Sequence, residues 1–161
     1  MTTSLELKQL AKRLNIKLTG VYSKDISKIP FKNNTGIIIN MENMYDSKGR
    51  PNKGSHWVAI AFTTYNNEKI AVYFDAFGYQ PPNNIHNKLN DIDDYYLYSS
   101  KHIQDEDSIL CGPFCIYFLW YFQHKNKHLS PTQRLKAFQK EFSNDTDAND
   151  RILFDKLNSL L

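Results

Sequence analysis

Cys111 is the residue whose surroundings most favour nucleophilic chemistry. It lies in the segment Leu110–Cys115 (LCGPFC), where a polar loop gives way to an apolar run at 113–122. Pro113 predicts that a helix begins here, because the N–H that proline lacks would have no partner in a first helical turn. At a helix N-terminus the dipole favours a negative charge on sulfur. Two interpretations fit: a reactive thiolate, or a buried cysteine that packs as a small hydrophobic residue.

His56 and Asp75 are the candidate partners of such a nucleophile, which needs a base and a group that orients the base. His56 opens an apolar stretch at 56–62, and Asp75 ends a second one at 69–75. Both stretches have the length and composition of strands, and the turn formers between them predict a hairpin. In an antiparallel hairpin the start of one strand lies beside the end of the next. We therefore expect Asp75 to hold one imidazole nitrogen so that the other faces the sulfur of Cys111.

The other four histidines have weaker settings. His86, His124 and His128 lie in polar or helix-end segments, where a histidine is more often solvated than catalytic. His102 lies in the loop before Cys111 and stays a weaker alternative base.

Gln104 could supply a donor for a developing oxyanion. It precedes Cys111 by seven positions, and its side-chain amide could act together with the backbone N–H of the cysteine. Taken alone, a loop glutamine carries little information.

A zinc site is the rival interpretation of the cysteines, because Cys111, Cys115, His124 and His128 loosely match a two-Cys, two-His pattern. The segment between the cysteines and His124 is predicted to be one continuous helix. At about 1.5 Å per residue it would separate Cys111 from His124 by roughly 20 Å, whereas zinc ligands lie about 2 Å from one ion. The sequence therefore predicts no metal site, and Cys115 is interpreted as core packing.

The remaining pattern predicts an α+β domain. The predicted elements, in chain order, are a helix at 4–14, an irregular surface segment at 20–30, a strand at 35–40, an exposed loop at 46–55, the hairpin strands, a short helix at 83–94, a strand at 95–99, the apolar helix after Cys111, a helix at 131–142 and a last helix after Asp147. We expect a small mixed sheet packed between the N-terminal helix and the central helix, followed by two C-terminal helices. A single domain over residues 1–161 follows from the length.

Composition limits the function classes. Of the 161 residues, 41% are hydrophobic and 23% charged, with a net charge of +3. Residues 1–60 carry ten Lys/Arg against four Asp/Glu, and residues 61–110 three against eight. No basic cluster interleaves with aromatic residues, so nucleic-acid binding is not indicated. The chain shows neither a secretory signal pattern nor an apolar stretch of membrane-spanning length, and its two cysteines form no disulfide framework. We expect an intracellular, reduced protein without a membrane anchor.

Several motifs together resemble a known protease family. They are GSHWV at 54–58, YFDAFG at 73–78 with the prolines at 81–82, Gln104, and LCGPFC at 110–115. This order is similar to that of the adenovirus maturation protease (adenain) family, and closest to the branch of virophages, Polinton-like elements and large DNA viruses. The same clan contains the proteases that process SUMO. The segment at 20–30 resembles the N-terminal segment of the family.

The resemblance implies roles for four residues. Cys111 would be the nucleophile, His56 the general base and acid, Asp75 the orienting acid and Gln104 the oxyanion donor. The residues that flank the base and the nucleophile are expected to bind substrate, namely Gly54, Ser55, Trp57 and Gly112. Two departures are an aspartate where adenain has a glutamate, and the lack of a further cysteine that could tether an activating peptide.

The function expected from this resemblance is a cysteine endopeptidase that matures viral capsid or other structural proteins. It would need no cofactor, cut near small residues such as glycine, and act as a monomer. We expect it in the host cytoplasm or viral factory and packaged in the virion; DNA as an activator stays an open question. One alternative is a deubiquitinase or SUMO-type isopeptidase. An alternative of another class is a non-catalytic capsid or nucleic-acid-binding protein.

Overall fold

A computed structural model describes residues 2–41, 48, 56–93 and 95–161. In this part of the chain the elements are α1 (Ser4–Arg13), β1 (Leu18–Ser23), β2 (Thr35–Asn40), β3 (Trp57–Tyr65), β4 (Glu68–Phe74), α2 (Asn83–Asn90), β5 (Leu97–Tyr98), α3 (Cys111–His124), α4 (Pro131–Lys140), a 3-10 turn (Thr146–Ala148) and α5 (Asn149–Leu160). The predicted α+β class is confirmed. The predicted exposed loop at 46–55 lies outside the described residues, apart from Lys48.

The strands form one mixed sheet in the order β1-β2-β3-β4-β5. The outer pairs β1–β2 and β4–β5 are parallel, and the inner pairs are antiparallel. The hairpin between β3 and β4 turns at Asn66 and Asn67, with φ angles of 51° and 66°. Asparagine tolerates these left-handed angles, and two in succession match the twist of a two-residue hairpin. The last paired residues are Ala59 and Phe74, so His56 and Asp75 lie just beyond the same end of the ladder.

The sequence prediction for 20–30 was wrong in its first part, because Leu18–Ser23 is a strand. Its pairing with β2 is irregular between Leu18 and Gly20, and most of its residues are half-buried at the sheet edge. The ring of Tyr22 folds over Gly20, where an added Cβ would lie 2.6 Å from it. A strand defined by backbone pairing at an edge, with a glycine inside it, lacks the alternation that marks a strand in sequence.

The two faces of the sheet have separate cores. Along β3, Ala59 and Ala61 belong to the core that contains α1 and α3, whereas Val58 and Ile60 belong to the other. On that second face lie α2 and the segment between β1 and β2. The arrangement thus differs from the expected one in one respect: α1 lies on the same face as α3, because its apolar side packs against that helix.

The central helix α3 is apolar on all sides, which is typical of a helix buried in a core. It packs closely on β2, where a Cβ on Gly36 would lie 2.4 Å from the side chain of Leu119. Phe118 stacks on Phe74 of β4 with ring centroids 4.6 Å apart. In the described residues no helix combines the length and apolar character needed to cross a membrane.

Glu141 links the three C-terminal helices. Its carboxylate accepts hydrogen bonds from Lys125 at 3.0 Å, from Lys156 at 2.8 Å and from the hydroxyl of Tyr117. Burial raises the pKa of this carboxyl, but the hydrogen bonds from Lys156, Tyr117 and Lys125 outweigh it and lower the pKa below 4.5. These contacts fix α3, and with it the position of Cys111, relative to α4 and α5.

Candidate active site

His56 and Asp75 are in direct contact. The Nε2 atom of His56 lies 3.0 Å from Oδ2 of Asp75. The other carboxylate oxygen, Oδ1, accepts the backbone N–H of Phe77 at 2.9 Å. The aspartate side chain is 7% exposed and the histidine side chain 22%. With both oxygens bonded, the carboxylate is held in one orientation and can fix the imidazole in turn.

The turn after Asp75 holds the imidazole from a second side. The ring of Phe77 stacks on that of His56, with centroids 5.3 Å apart and planes 26° from parallel. Gly78 closes this turn with a φ of 83°, a left-handed angle that favours glycine. A Cβ at this position would lie 2.8 Å from the carbonyl oxygen of Ser100. The glycine therefore allows the turn to lie directly on the chain that leads to Gln104.

Cys111 is the first residue of α3, where the sequence predicts a helix start. It is 7% exposed, and the preceding residue, Leu110, makes no side-chain cap. The N–H groups of a first turn have no partner within the helix, so this end favours a negative charge.

His56 connects the acid to the thiol. Burial lowers the pKa of His56, but hydrogen bonds to Asp75 and Cys111 and the negative charges of both residues outweigh it and raise the pKa to about 10. Because Asp75 takes Nε2, the hydrogen bond to Cys111 is left to Nδ1. The imidazole thus lies between the carboxylate of Asp75 and the sulfur of Cys111.

Gln104 lies in the loop that joins the end of β5 to the start of α3. Its backbone N–H donates to the carbonyl of Ala76 at 2.9 Å. Its side chain is 1% exposed, and Nε2 donates to the carbonyl of Ser108 at 3.0 Å. The buried Oε1 of this side chain has no hydrogen-bond partner. The hydroxyl of Ser108 donates to Asp150 at 2.7 Å and accepts the N–H of Leu110 at 3.1 Å.

Trp57 and Gly112 both contact the N-terminal segment. The indole N–H of Trp57, which is 4% exposed, donates to the carbonyl of Thr2 at 3.2 Å. A Cβ on Gly112 would lie 3.1 Å from Cβ of Thr2. Thr2 therefore covers one side of both residues, and their role in substrate binding stays a prediction. Gly54 and Ser55 lie outside the described residues.

Cys115 packs in the core, as the sequence predicts. It is 0% exposed, and its thiol donates to the carbonyl of Trp57 at 3.3 Å. Burial, followed by the negative charges of Cys111 and Asp75, raises the pKa of this thiol well above its ordinary value. Neither Cys115 nor Cys111 is in a disulfide.

The alternative base His102 and the alternative zinc ligand His124 have other contacts. The ring of His102 meets the edge of Phe77, with centroids 5.8 Å apart. His124 lies at the far end of the continuous helix α3 and bonds the carbonyl of Asn15 at 2.9 Å. Among the residues that the structure describes, no group of three or more His, Cys, Asp or Glu could hold a metal ion.

Sequence reasoning missed three supports of the site, namely Phe77, Ser108 and Asp150. Phe77 is close to the acid in sequence, and an aromatic residue next to a strand-end aspartate is a usable signal. Ser108 and Asp150 are separated by 42 positions, and no local pattern links them.

Comparison with known proteins identifies a shared fold. No protein-family model matches the sequence, and no curated protein is similar enough to match. A crystal structure of the ASFV pS273R protease superimposes with a TM-score of 0.55 at 16% identity, covering 96% of this chain and 63% of that one. Its selenomethionine form gives 0.52 at 17% identity, covering 79% and 43%. The chain has a protease-like fold. It spans about half the length of the chains that it matches, and at this identity the likeness establishes the fold alone.

Proposed function

We propose that this chain is a cysteine endopeptidase in which Cys111 is the nucleophile, His56 the general acid and base, and Asp75 the residue that orients His56. The observation that carries the proposal is the imidazole of His56, which is hydrogen-bonded to Asp75 and to a thiol at the start of a helix. The fold shared with a viral protease supports it.

The proposed reaction starts from an ion pair. With a pKa raised to about 10, His56 holds a proton at neutral pH. We propose that this imidazolium stabilises the thiolate form of Cys111, which is the reactive form of a cysteine. The thiolate attacks the carbonyl carbon of the scissile peptide bond, which forms a C–S bond and a tetrahedral oxyanion. The imidazolium gives its proton to the leaving nitrogen as the C–N bond breaks. Water, deprotonated by His56, then attacks the thioester and releases the acid and the thiolate.

Gln104 is proposed as an oxyanion donor together with the backbone N–H of Cys111. The amide Nε2 of Gln104 carries two hydrogens, and one is donated to Ser108. The second is the hydrogen assigned to the oxyanion. Burial of Gln104 supports this role, because a donor held in a water-excluded site stabilises charge more strongly than a solvated one.

Capsid or other structural proteins of a virus are the proposed substrates, cut near small residues. The resemblance of the motifs around His56, Asp75, Gln104 and Cys111 to the adenain family supports this substrate class, as does the protease-like fold. We propose that the chain acts as a monomer in the host cytoplasm or viral factory and is packaged in the virion.

The test is to incubate the wild type with the capsid and other structural proteins encoded by the same genome and to map new N-termini by mass spectrometry. The proposal expects new termini with the wild type and none with Cys111→Ala. Cys115→Ala is the matched control, because it removes the second thiol of the same helix and should leave the new termini in place. Identical termini with Cys111→Ala, or none with any variant, would overturn the proposal.

A second arm uses ubiquitin-like modifiers that end in an electrophile. Covalent labelling of Cys111 by such a probe, without cleavage of any structural protein, would favour the isopeptidase alternative. If the probe does not label Cys111 and no structural protein is cleaved, while circular dichroism shows an intact fold, a non-catalytic protein would be favoured.

A further inference from the structure

A surface pocket of about 320 Å³ opens between α2 and β5, at one edge of the sheet. Its lining consists of His86, Asn90, Tyr95, Tyr96 and Tyr98. Residues four apart on a helix share one face, and residues two apart on an extended chain share one side. This spacing brings His86 and Asn90 of α2 opposite Tyr96, which lies just before β5, and Tyr98 of β5. The candidate active site contributes no residue to this lining.

Hydrogen bonds fix the polar side of the pocket. The amide of Asn90 donates to Nε2 of His86 at 3.1 Å, and Nδ1 of His86 lies 2.6 Å from the hydroxyl of Tyr96. Because Nε2 accepts from the amide, Nδ1 carries the proton and donates to Tyr96. Both ring nitrogens of His86 are thus engaged in hydrogen bonds within the lining.

The charged groups that act on Tyr95 of the pocket are acidic. The hydroxyl of Tyr95 donates to Glu68 at 3.4 Å. Loss of solvent, followed by the negative charges of Glu68 and Asp93, raises the pKa of Tyr95. Asn90 is the last residue of α2, so the negative end of the helix dipole lies beside the pocket. No lysine or arginine belongs to its lining.

A positively charged group fits these features. The face of an aromatic ring carries negative potential and attracts ammonium and guanidinium groups. Tyr95 and Tyr98 are exposed by 50% and 38%, so their rings are accessible. The volume is at the low end for ligand sites, which begin at about 300 Å³, and it suits one side chain better than a cofactor.

We propose that this pocket binds the lysine or arginine side chain of a protein partner. A polypeptide is the favoured carrier because β5 is an edge strand, and an edge offers backbone groups to an extended chain. A nucleic acid could stack its bases on the tyrosines, but its phosphates would meet Glu68 and Asp93. The proposal does not depend on proteolysis, since none of His56, Asp75 or Cys111 lines the pocket.

The direct test is a titration followed by the backbone amide NMR signals of the protein. The probe is a short glycine peptide that carries one lysine and one arginine; the comparison probes are the same peptide with two glutamates and a thymidine oligonucleotide. We expect the basic peptide to shift the amides of Asn90 and Tyr95–Tyr98 in a saturable way, and neither comparison probe to do so. Absence of a saturable shift would overturn the proposal, as would equal shifts with the glutamate peptide or the oligonucleotide.

Tyr98→Leu and Tyr65→Leu form a matched pair, because both tyrosines are 38% exposed and only Tyr98 lines the pocket. Loss of one exposed cation–π contact is expected to raise the Kd of the basic peptide about threefold in Tyr98→Leu, with no change in Tyr65→Leu. If Tyr98→Leu does not fold, Glu68→Gln is the second variant. This substitution is expected to raise the Kd of the basic peptide and to make that Kd less dependent on salt. Equal affinity in the tested variant and Tyr65→Leu would overturn the proposal.

Discussion

Replacing Asp75 by asparagine tests whether the negative charge of Asp75 raises the pKa of His56. The substitution keeps the shape of the side chain and an oxygen that can accept from Nε2 of His56 or from the N–H of Phe77. It removes the negative charge that lies 3.0 Å from the ring. The imidazole ring should therefore keep its orientation, while the pKa of His56 should fall.

The size of the effect follows from the pKa of His56, which is about 10 against an ordinary value of 6.5. An adjacent opposite charge is worth about 1–3 pKa units. We therefore expect the pKa of His56 to fall to about 7–9 in Asp75→Asn. At about 1.36 kcal/mol per unit, the imidazolium loses roughly 1.4–4 kcal/mol of stabilisation.

The assay is a pH titration of the imidazole signals by NMR, with the His56 signals assigned by their loss in His56→Gln. The wild-type ring should stay protonated up to about pH 9, and the Asp75→Asn ring should titrate below that. Peptide hydrolysis near neutral pH should slow by about 10²–10⁴-fold. Asp155→Asn is the control, because Asp155 is an exposed carboxylate on α5. An unchanged His56 titration in Asp75→Asn, or a wild-type His56 that titrates near 6.5, would refute this account of the pair.

The same pair predicts how stability depends on pH. Because the folded-state pKa of His56 is raised above 6.5, its contribution to the free energy of unfolding is complete below about pH 6.5 and is lost as the pH rises toward 10. The difference in stability between the wild type and Asp75→Asn should therefore shrink with rising pH in that interval. Chemical denaturation at several pH values measures it.

Three further changes have distinct expected outcomes. Gln104→Ala should lower kcat by about 10²–10³-fold with little change in KM; steady-state kinetics check this, and an equal rise in KM would point to substrate binding instead. Cys115→Ala should keep most of the activity and lower the free energy of unfolding by about 1–2 kcal/mol, which urea denaturation measures; loss of activity in a folded variant would contradict its role in packing. Glu141→Gln should destabilise by about 2 kcal/mol near neutral pH. Because the folded-state pKa of Glu141 is lowered from 4.5, this difference should be complete above about pH 4.5 and vanish at more acidic pH; a difference that does not change with pH would refute the ion-pair explanation.

The pairing of His56 with Asp75 was within reach of the sequence. Two apolar stretches with turn-forming asparagines between them specify an antiparallel hairpin, and the hairpin decides which strand ends meet. The start of α3 at Cys111 was equally accessible, because Gly112 and Pro113 separate the polar loop from the apolar run. In these places local pattern and tertiary structure agree.

Other features depend on contacts between distant parts of the chain. The strand at Leu18–Ser23 exists because its backbone pairs with β2, and its half-buried side chains carry no strand pattern. The side-chain amide of Gln104 is oriented by Ser108, which is itself held by Asp150 from α5. The contact of Thr2 with Trp57 likewise joins residues 55 positions apart. Composition and spacing contain no information about such contacts.

The rate at which Cys111 is alkylated tests the central claim most directly. Iodoacetamide reacts with thiolates, so an ion pair with His56 makes Cys111 react near pH 6 faster than a small free thiol. Intact-mass spectrometry and peptide mapping follow the reaction in the wild type and in His56→Ala. The account predicts fast, single modification at Cys111 in the wild type and a slow reaction in His56→Ala. A wild-type Cys111 that reacts no faster than a free thiol, or equally fast without His56, would contradict it.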